Sequence, residues 1–247
     1  MKIYKNRQKT TEICTVDEWF KNCPPANPKK QWVDKRSALE MAKFWTNSQK
    51  QSDFQSFLQK VKKDMTFDYA LPEIATKFDN YRNPRKNDLC LYASDNKEKI
   101  FVSIEGKADE QFGNNYVYTE WIESLLEKRV KSESKKMDRI IELYNRFDNK
   151  AEFLELRYQL TYWLAGAIEE AIRNKIKTVF LIVQEFHSNK TINQKITLNA
   201  SDFDYFVRFI SNGCYVNVSK NEILGPINNQ YTKEIDLYVG KYTIDFL

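Results

Sequence analysis

The chain has 247 residues, with 39 basic and 34 acidic side chains and a formal charge of +5. Hydrophobic residues make up 42% and charged ones 30%, enough for a sizeable core and too much apolar material for intrinsic disorder. Six Gly and six Pro exclude a fibrous or low-complexity architecture, and no apolar run approaches the roughly 20 residues of a membrane helix.

Met1 to Arg7 lacks the apolar stretch of a secretory signal, so a soluble, cytoplasmic protein is expected. Cys14, Cys23, Cys90 and Cys214 lie far apart with no Cys-x-x-Cys pair. Free buried thiols in a reducing compartment fit that spacing better than a zinc site. His187 is the single histidine, which removes every mechanism that needs two. Gly-x-Ser-x-Gly, Gly-x-Gly-x-x-Gly and the P-loop pattern are all missing from the sequence, so the usual hydrolase and nucleotide-binding signatures lend no support.

Residues 1–65 are expected to form a helical region packed on a core of residues 66–247. The pairs Thr15/Glu18 and Ser37/Glu40 have the spacing of a capping box. Between them Cys23 to Pro28 breaks the chain with three prolines. A third helix is expected over about Phe54–Lys63. Residues 1–50 hold 11 basic and 5 acidic side chains; such an excess suits a polyanion, and an ordinary solvated surface equally.

Asp88–Ala93 and Lys99–Glu105 alternate with period two and read as a hairpin turning over Ser94–Glu98. A solvated helical pair follows at 118–147, divided around Ser132–Ser134 and forming an insertion over about 116–150. Next come a helix over Phe153–Asn174, a buried strand at Thr178–Glu185 and a helix near Asp202–Phe209. Strands at Cys214–Val218, Ile235–Val239 and Tyr242–Phe246 complete the expected α/β order.

With the turn centred between Asn96 and Lys97, Leu89, Leu91 and Ala93 fall opposite Ile104, Val102 and Ile100, an apolar face. Asp88, Cys90, Tyr92, Ser103, Glu105 and Lys107 take the other face, with Asp88 opposite Glu105. Opposed Cβ atoms lie about 4.5–5.5 Å apart, so two carboxylates there call for a proton or a cation between them. Lys107 supplies one charge, and a hard divalent ion would supply more. Mg²⁺ takes one or two carboxylates, retained waters and a substrate phosphate oxygen. A salt-bridged ladder on an exposed hairpin would use the same residues without a metal.

An Asp on one strand followed by Glu-x-Lys on the next, here Asp88 and Glu105-Gly106-Lys107, resembles the signature of the PD-(D/E)XK nuclease superfamily. The likeness spans roughly residues 70–186 and extends to a bacterial branch through Ile104–Glu110 and Arg157–Leu160. Asn87 stands where the name-giving Pro would be, and the stretch from Glu105 to Gln159 is long. The spacing Asp/Glu-x-Lys also occurs at Asp95–Lys97, Glu133–Lys135 and Asp148–Lys150. Only Glu105–Lys107 ends a strand-like run with an acid opposite.

The resemblance implies a restriction-endonuclease-like mixed sheet flanked by helices. It also implies metal-dependent hydrolysis of nucleic acid, DNA in preference to RNA, with roles such as restriction or defence. Asp88, Glu105 and the Gly106 carbonyl would ligate Mg²⁺ or Mn²⁺. Glu73 would join them as a further ligand, Lys107 would orient or deprotonate a water, and Gln159 would position the groups. Arg157 is a weaker candidate for holding a phosphate; Asp109 and Glu110 read as solvated loop acids and His187 as a structural or exposed residue, while Glu185 ends its strand where it could point toward the site. A homodimer or a partner protein encoded nearby is a further implication. A catalytically inactive module that binds nucleic acid or a protein is the alternative, and a salt-bridged structural protein the plainest one. All five tryptophans are expected in the core.

Overall fold

The hairpin forms in the register that its alternation predicts: Leu89 pairs with Ile104, Leu91 with Val102 and Ala93 with Ile100. It occupies the middle of a computed structural model that describes residues 1–79, 85–130, 136–147, 150–189, 191–232 and 234–246. The N-terminal part comprises β1 (Lys2–Ile3), α1 (Val16–Asn22), α2 (Pro28–Gln31), α3 (Ser37–Trp45) and α4 (Ser48–Gln59). After it come β2 (Thr66–Thr76), β3 (Arg85–Ser94), β4 (Lys99–Lys107), α5 (Val117–Val130), α6 (Lys136–Asn145) and α7 (Lys150–Phe153). The chain then continues through α8 (Tyr158–Arg173), β5 (Thr178–His187), α9 (Asn193–Ile210), β6 (Ile223–Ile227) and β7 (Asp236–Asp245).

Among the described residues the fold is α/β, a seven-stranded mixed sheet in the order β1-β2-β3-β4-β5-β7-β6 flanked by helices. β2, β3 and β4 run antiparallel, whereas β4, β5 and β7 run parallel. Leu89, Leu91, Val102 and Ile104 pack against Met41, Trp45, Phe54 and Leu58 of α3 and α4. Cys90, Tyr92 and Phe101 pack on the opposite face with Trp163, Leu164 and Ile168 of α8 and Phe203 and Phe206 of α9. That second face is therefore not the solvated one that period-two alternation suggests. Parallel strands at the centre of a sheet are covered on both sides, and β4 and β5 are buried along nearly their whole length.

Several boundaries differ from the sequence expectations, each for a tertiary reason. The Thr15/Glu18 capping box is present. The Ser37/Glu40 box is not: Ser37 Oγ donates to Glu110, and Glu40 accepts from the Lys35 amide and the Lys43 ammonium. The third expected helix lies earlier, as α4, capped by Asn47. Cys214–Val218 is not a strand; the Val218 amide donates to Asp204 of α9 instead. β7 joins the two expected C-terminal strands into one, because its pairing with β5 runs unbroken from Asp236 to Asp245. Gly240 permits this, since a Cβ there would lie 2.5 Å from the Glu222 carbonyl. Residues 66–76 form a strand despite Pro72, at a position where β1 covers only Tyr69 and Ala70 and β2 is an edge. Only Cys23 and Cys90 of the four free thiols are buried. The predicted division at Ser132–Ser134, and the motifs Glu133–Lys135 and Asp148–Lys150, lie wholly or partly outside the described residues. No helix among the described residues is long and apolar enough to cross a membrane.

Candidate functional site

The β3–β4 ladder ends at Leu89 and Ile104, and the two strands part there. Asp88 lies just beyond this fork on β3, while Glu105, Gly106 and Lys107 end β4. Asp88 Oδ2 accepts a 2.8 Å hydrogen bond from the Gly106 amide, which ties the fork together. Gly106 has to be small: a Cβ would meet Met41 Cγ of α3 at 2.8 Å. Lys107 Nζ donates to Glu105 Oε1 at 2.9 Å, and Gln159 Nε2 of α8 donates to the same oxygen at 2.5 Å. Lys107 Nζ also reaches Gln159 Oε1 at 3.5 Å and lies 5.2 Å from the centre of the Phe112 ring.

Glu105 and Lys107 are only 2% and 5% exposed, so the exposed salt-bridge ladder is not what forms. Burial works to lower the Lys107 pKa, but the carboxylates of Glu105, Asp88 and Glu110 outweigh it and hold the pKa above the ordinary lysine value. Lys107 is thus an ammonium at neutral pH. Its geometry suits orientation and charge stabilisation, and the raised pKa disfavours the role of general base. A buried pair of this kind gains little net stability over apolar side chains of similar volume.

Glu73 is carried by β2 and by no helix. It sits between Pro72 and Ile74, whose partners Leu89 and Asn87 flank Asp88. Its φ is +52°, in the left-handed region that costs a non-glycine residue about 1–3 kcal/mol. This kink turns Glu73 into a cleft of 450 Å³ that Asp88 and Lys86 also line. Replacing Glu73 by Gly relieves the strain while removing the carboxylate. Glu73→Gly is therefore expected to be about 1 kcal/mol more stable than Glu73→Ala, as denaturant unfolding of the two variants would show.

The other sequence candidates fall elsewhere. Arg157 precedes α8, is buried, and pairs with Asp202 at 2.7 Å while lying 4.1 Å from the Tyr116 ring centre, so it is a structural anchor and no phosphate clamp. Asp109 and Glu110 hold the N-terminus of α3 through Arg36 and Ser37. Glu185 is paired in register with Lys107, yet it accepts from Thr243 at 3.0 Å and lies 3.5 Å from His187. His187 lies between Glu185 and Asp245. Of the tryptophans expected in the core, Trp19 is buried there and Trp32 is half-buried against it, and both line the cleft. No local sequence pattern indicates this, because the cleft is made where separate helices meet.

The oxygen donors at the fork match a hard divalent cation. Among the described residues no group of three or more His, Cys, Asp and Glu side chains stands close enough to hold a metal ion. The fit is therefore to a site of one or two carboxylates, Asp88 and Glu105, completed by waters and substrate oxygens, a mode that Mg²⁺ accepts. No curated protein and no solved structure matches the chain. A family model described as "Domain of unknown function (DUF6946)" matches residues 12–246. Since that match runs through every β-strand after β1 and through the whole fork, the chain belongs to the DUF6946 family.

Proposed function

We propose that this protein is a metal-dependent nuclease with a restriction-endonuclease-like core, hydrolysing phosphodiester bonds of nucleic acid, DNA in preference to RNA. One observation carries the proposal: Glu105 and Lys107 are buried as a pair at the fork where Asp88 meets the Gly106 amide beside an open cleft. The resemblance of these residues to the PD-(D/E)XK signature supports it.

Asp88, Glu105 and the Gly106 carbonyl would hold Mg²⁺ or Mn²⁺, with Glu73 facing the same cleft as an outer group. The ion, when bound, would polarise the phosphodiester and make a water more acidic. Lys107 would keep its proton and place positive charge on a phosphate oxygen as negative charge develops there. Gln159 is a positioning residue, since its amide fixes the Glu105 oxygen that Lys107 also grips.

Plasmid and single-stranded DNA are expected to be cut in Mg²⁺ or Mn²⁺ and left intact in EDTA. Glu105→Gln should slow cutting by about 10³-fold. Because it leaves Lys107 without its buried anion it also lowers stability, so the rates are compared at a temperature where circular dichroism shows both chains folded. Equal rates for wild type and variant would sink the assignment.

A second reading is favoured by the two donors already on Glu105 Oε1, which compensate its charge without any ion. The protein would then be an inactive relative that binds nucleic acid or a protein. Calorimetric titration with Mn²⁺ separates the two, because heat of binding lost in Glu105→Gln belongs to the nuclease alone.

A further inference from the structure

The cleft beside Asp88 is built from both sides of the sheet. Trp19, Trp32 and Met41 belong to or pack on the hydrophobic cluster that holds α3 and α4. Tyr158 and Tyr162 belong to or pack on the cluster of the opposite face. Aromatic side chains therefore reach the cleft from two layers that the sheet keeps apart elsewhere. Trp32 is backed by Phe20, with ring centres 5.0 Å apart, and Tyr158 is edge-on to Tyr162 at 4.9 Å. The acids Glu73 and Asp88 lie between these walls on neighbouring strands.

Size and charge narrow what can enter. Cavities of about 300–1,000 Å³ take molecules of drug size, and at 450 Å³ this cleft suits one nucleotide and excludes a stacked duplex. The cations that line it, Lys86, Lys136 and Arg139, are matched in number by the acids Glu73, Asp88 and Glu120. Lys136 is already held by Glu120 at 2.5 Å, and Arg139 by Asp79. Such a balanced lining lacks the positive track that follows many phosphates of a duplex. Stacking of an unpaired base on aromatic rings needs no such track.

We propose that this cleft receives a single unpaired nucleotide, its base between the Trp32 wall and the Tyr158–Tyr162 wall, so that the chain acts on single-stranded or frayed nucleic acid. The proposal rests on the nuclease assignment for what happens at the phosphate, but base capture is separable from it. Binding of fluorescein-labelled poly-dT, the matching poly-U, and a dA·dT duplex is measured by anisotropy. It is read in EDTA and again in Mg²⁺ on a Glu105→Gln chain, for wild-type Trp32, Trp32→Ala and Trp32→Phe.

The expected result is single-strand binding at least about 10-fold tighter than duplex binding, weakened about 10-fold or more by Trp32→Ala and largely restored by Trp32→Phe. The difference between poly-dT and poly-U reports which sugar the cleft prefers. Duplex binding as tight as single-strand binding, no effect of Trp32→Ala, no rescue by Phe, or no binding in either buffer would overturn the proposal. Glu105-dependent cutting of duplex with Trp32-independent binding removes this inference and leaves the nuclease. Trp32-dependent single-strand binding without any cutting does the reverse.

Discussion

The double replacement Glu105→Leu with Lys107→Met is expected to leave the protein as stable as wild type, or up to about 4 kcal/mol more stable, and to abolish the proposed nuclease activity. Both side chains are almost wholly buried, so folding strips them of water, and their mutual attraction returns little more than that cost. Two apolar residues of similar volume avoid the cost altogether. Removing one partner is different, because the other stays buried and uncompensated. Lys107→Met alone is expected to lose about 3–5 kcal/mol. Gln159 is half-buried and can turn its amide towards solvent in the double variant. Guanidinium unfolding of the two single variants and the double gives the comparison. If the double variant is as unstable as either single one, the pair is there for the fold and the case for catalysis is lost. The Lys107 pKa is raised on folding. The attraction of the Lys107 ammonium to its neighbouring carboxylates is therefore complete at neutral pH and is lost as alkaline pH passes through that raised value.

A second large effect belongs to the far end of the same helix. Glu170 of α8 is 1% exposed and accepts from the Tyr92 hydroxyl at 2.6 Å, from Arg7 at 2.8 Å and from Arg173 at 3.2 Å. It joins the N-terminal segment, β3 and α8 at one carboxylate. Glu170→Ala is expected to cost about 3–5 kcal/mol, since the Tyr92 hydroxyl loses its acceptor and two guanidinium groups lose a shared anion. In a chain of this size that is a fall in Tm of roughly 10 °C. Burial pushes the Glu170 pKa up, but the hydrogen bonds from Tyr92 and Arg7 and the nearby positive charge prevail, and the pKa falls below 4.5. The stabilisation is thus full above pH 4.5 and lost as acid titrates the folded carboxylate. The stability gap between wild type and Glu170→Gln should shrink below that pH; a gap that stays constant would contradict the carboxylate's role.

What could be seen in the sequence was what lies close along the chain. The hairpin register follows from two adjacent apolar alternations and a short polar turn, so Asp88, Glu105 and Lys107 could be grouped before any fold was known. The helix over most of 153–174 and the strand at 178–187 are likewise carried by their own periodicity and apolar length. Gln159 could be placed near them only through its resemblance motif, since its contact with Glu105 crosses 54 positions of the chain.

Local pattern failed wherever a distant partner decided the outcome. Ser37 gave up its expected cap for Glu110, and Arg157 turned to Asp202. Glu73 adopted a left-handed backbone within a strand. The second hairpin face was buried by a helix that the alternation does not encode. Trp19 stays in the core as expected, whereas Trp32 is only half-buried and walls a cleft, because α8 and the α1–α3 layer meet there. By itself, then, the sequence determined the α/β order, the central register and which acids and lysine share the hairpin. Only tertiary packing decided that these charges are buried and that an aromatic cleft opens beside them. The physical reason is range: side-chain alternation and turn chemistry act over a few residues, whereas desolvation and enclosure depend on which far-off surfaces come to cover a strand.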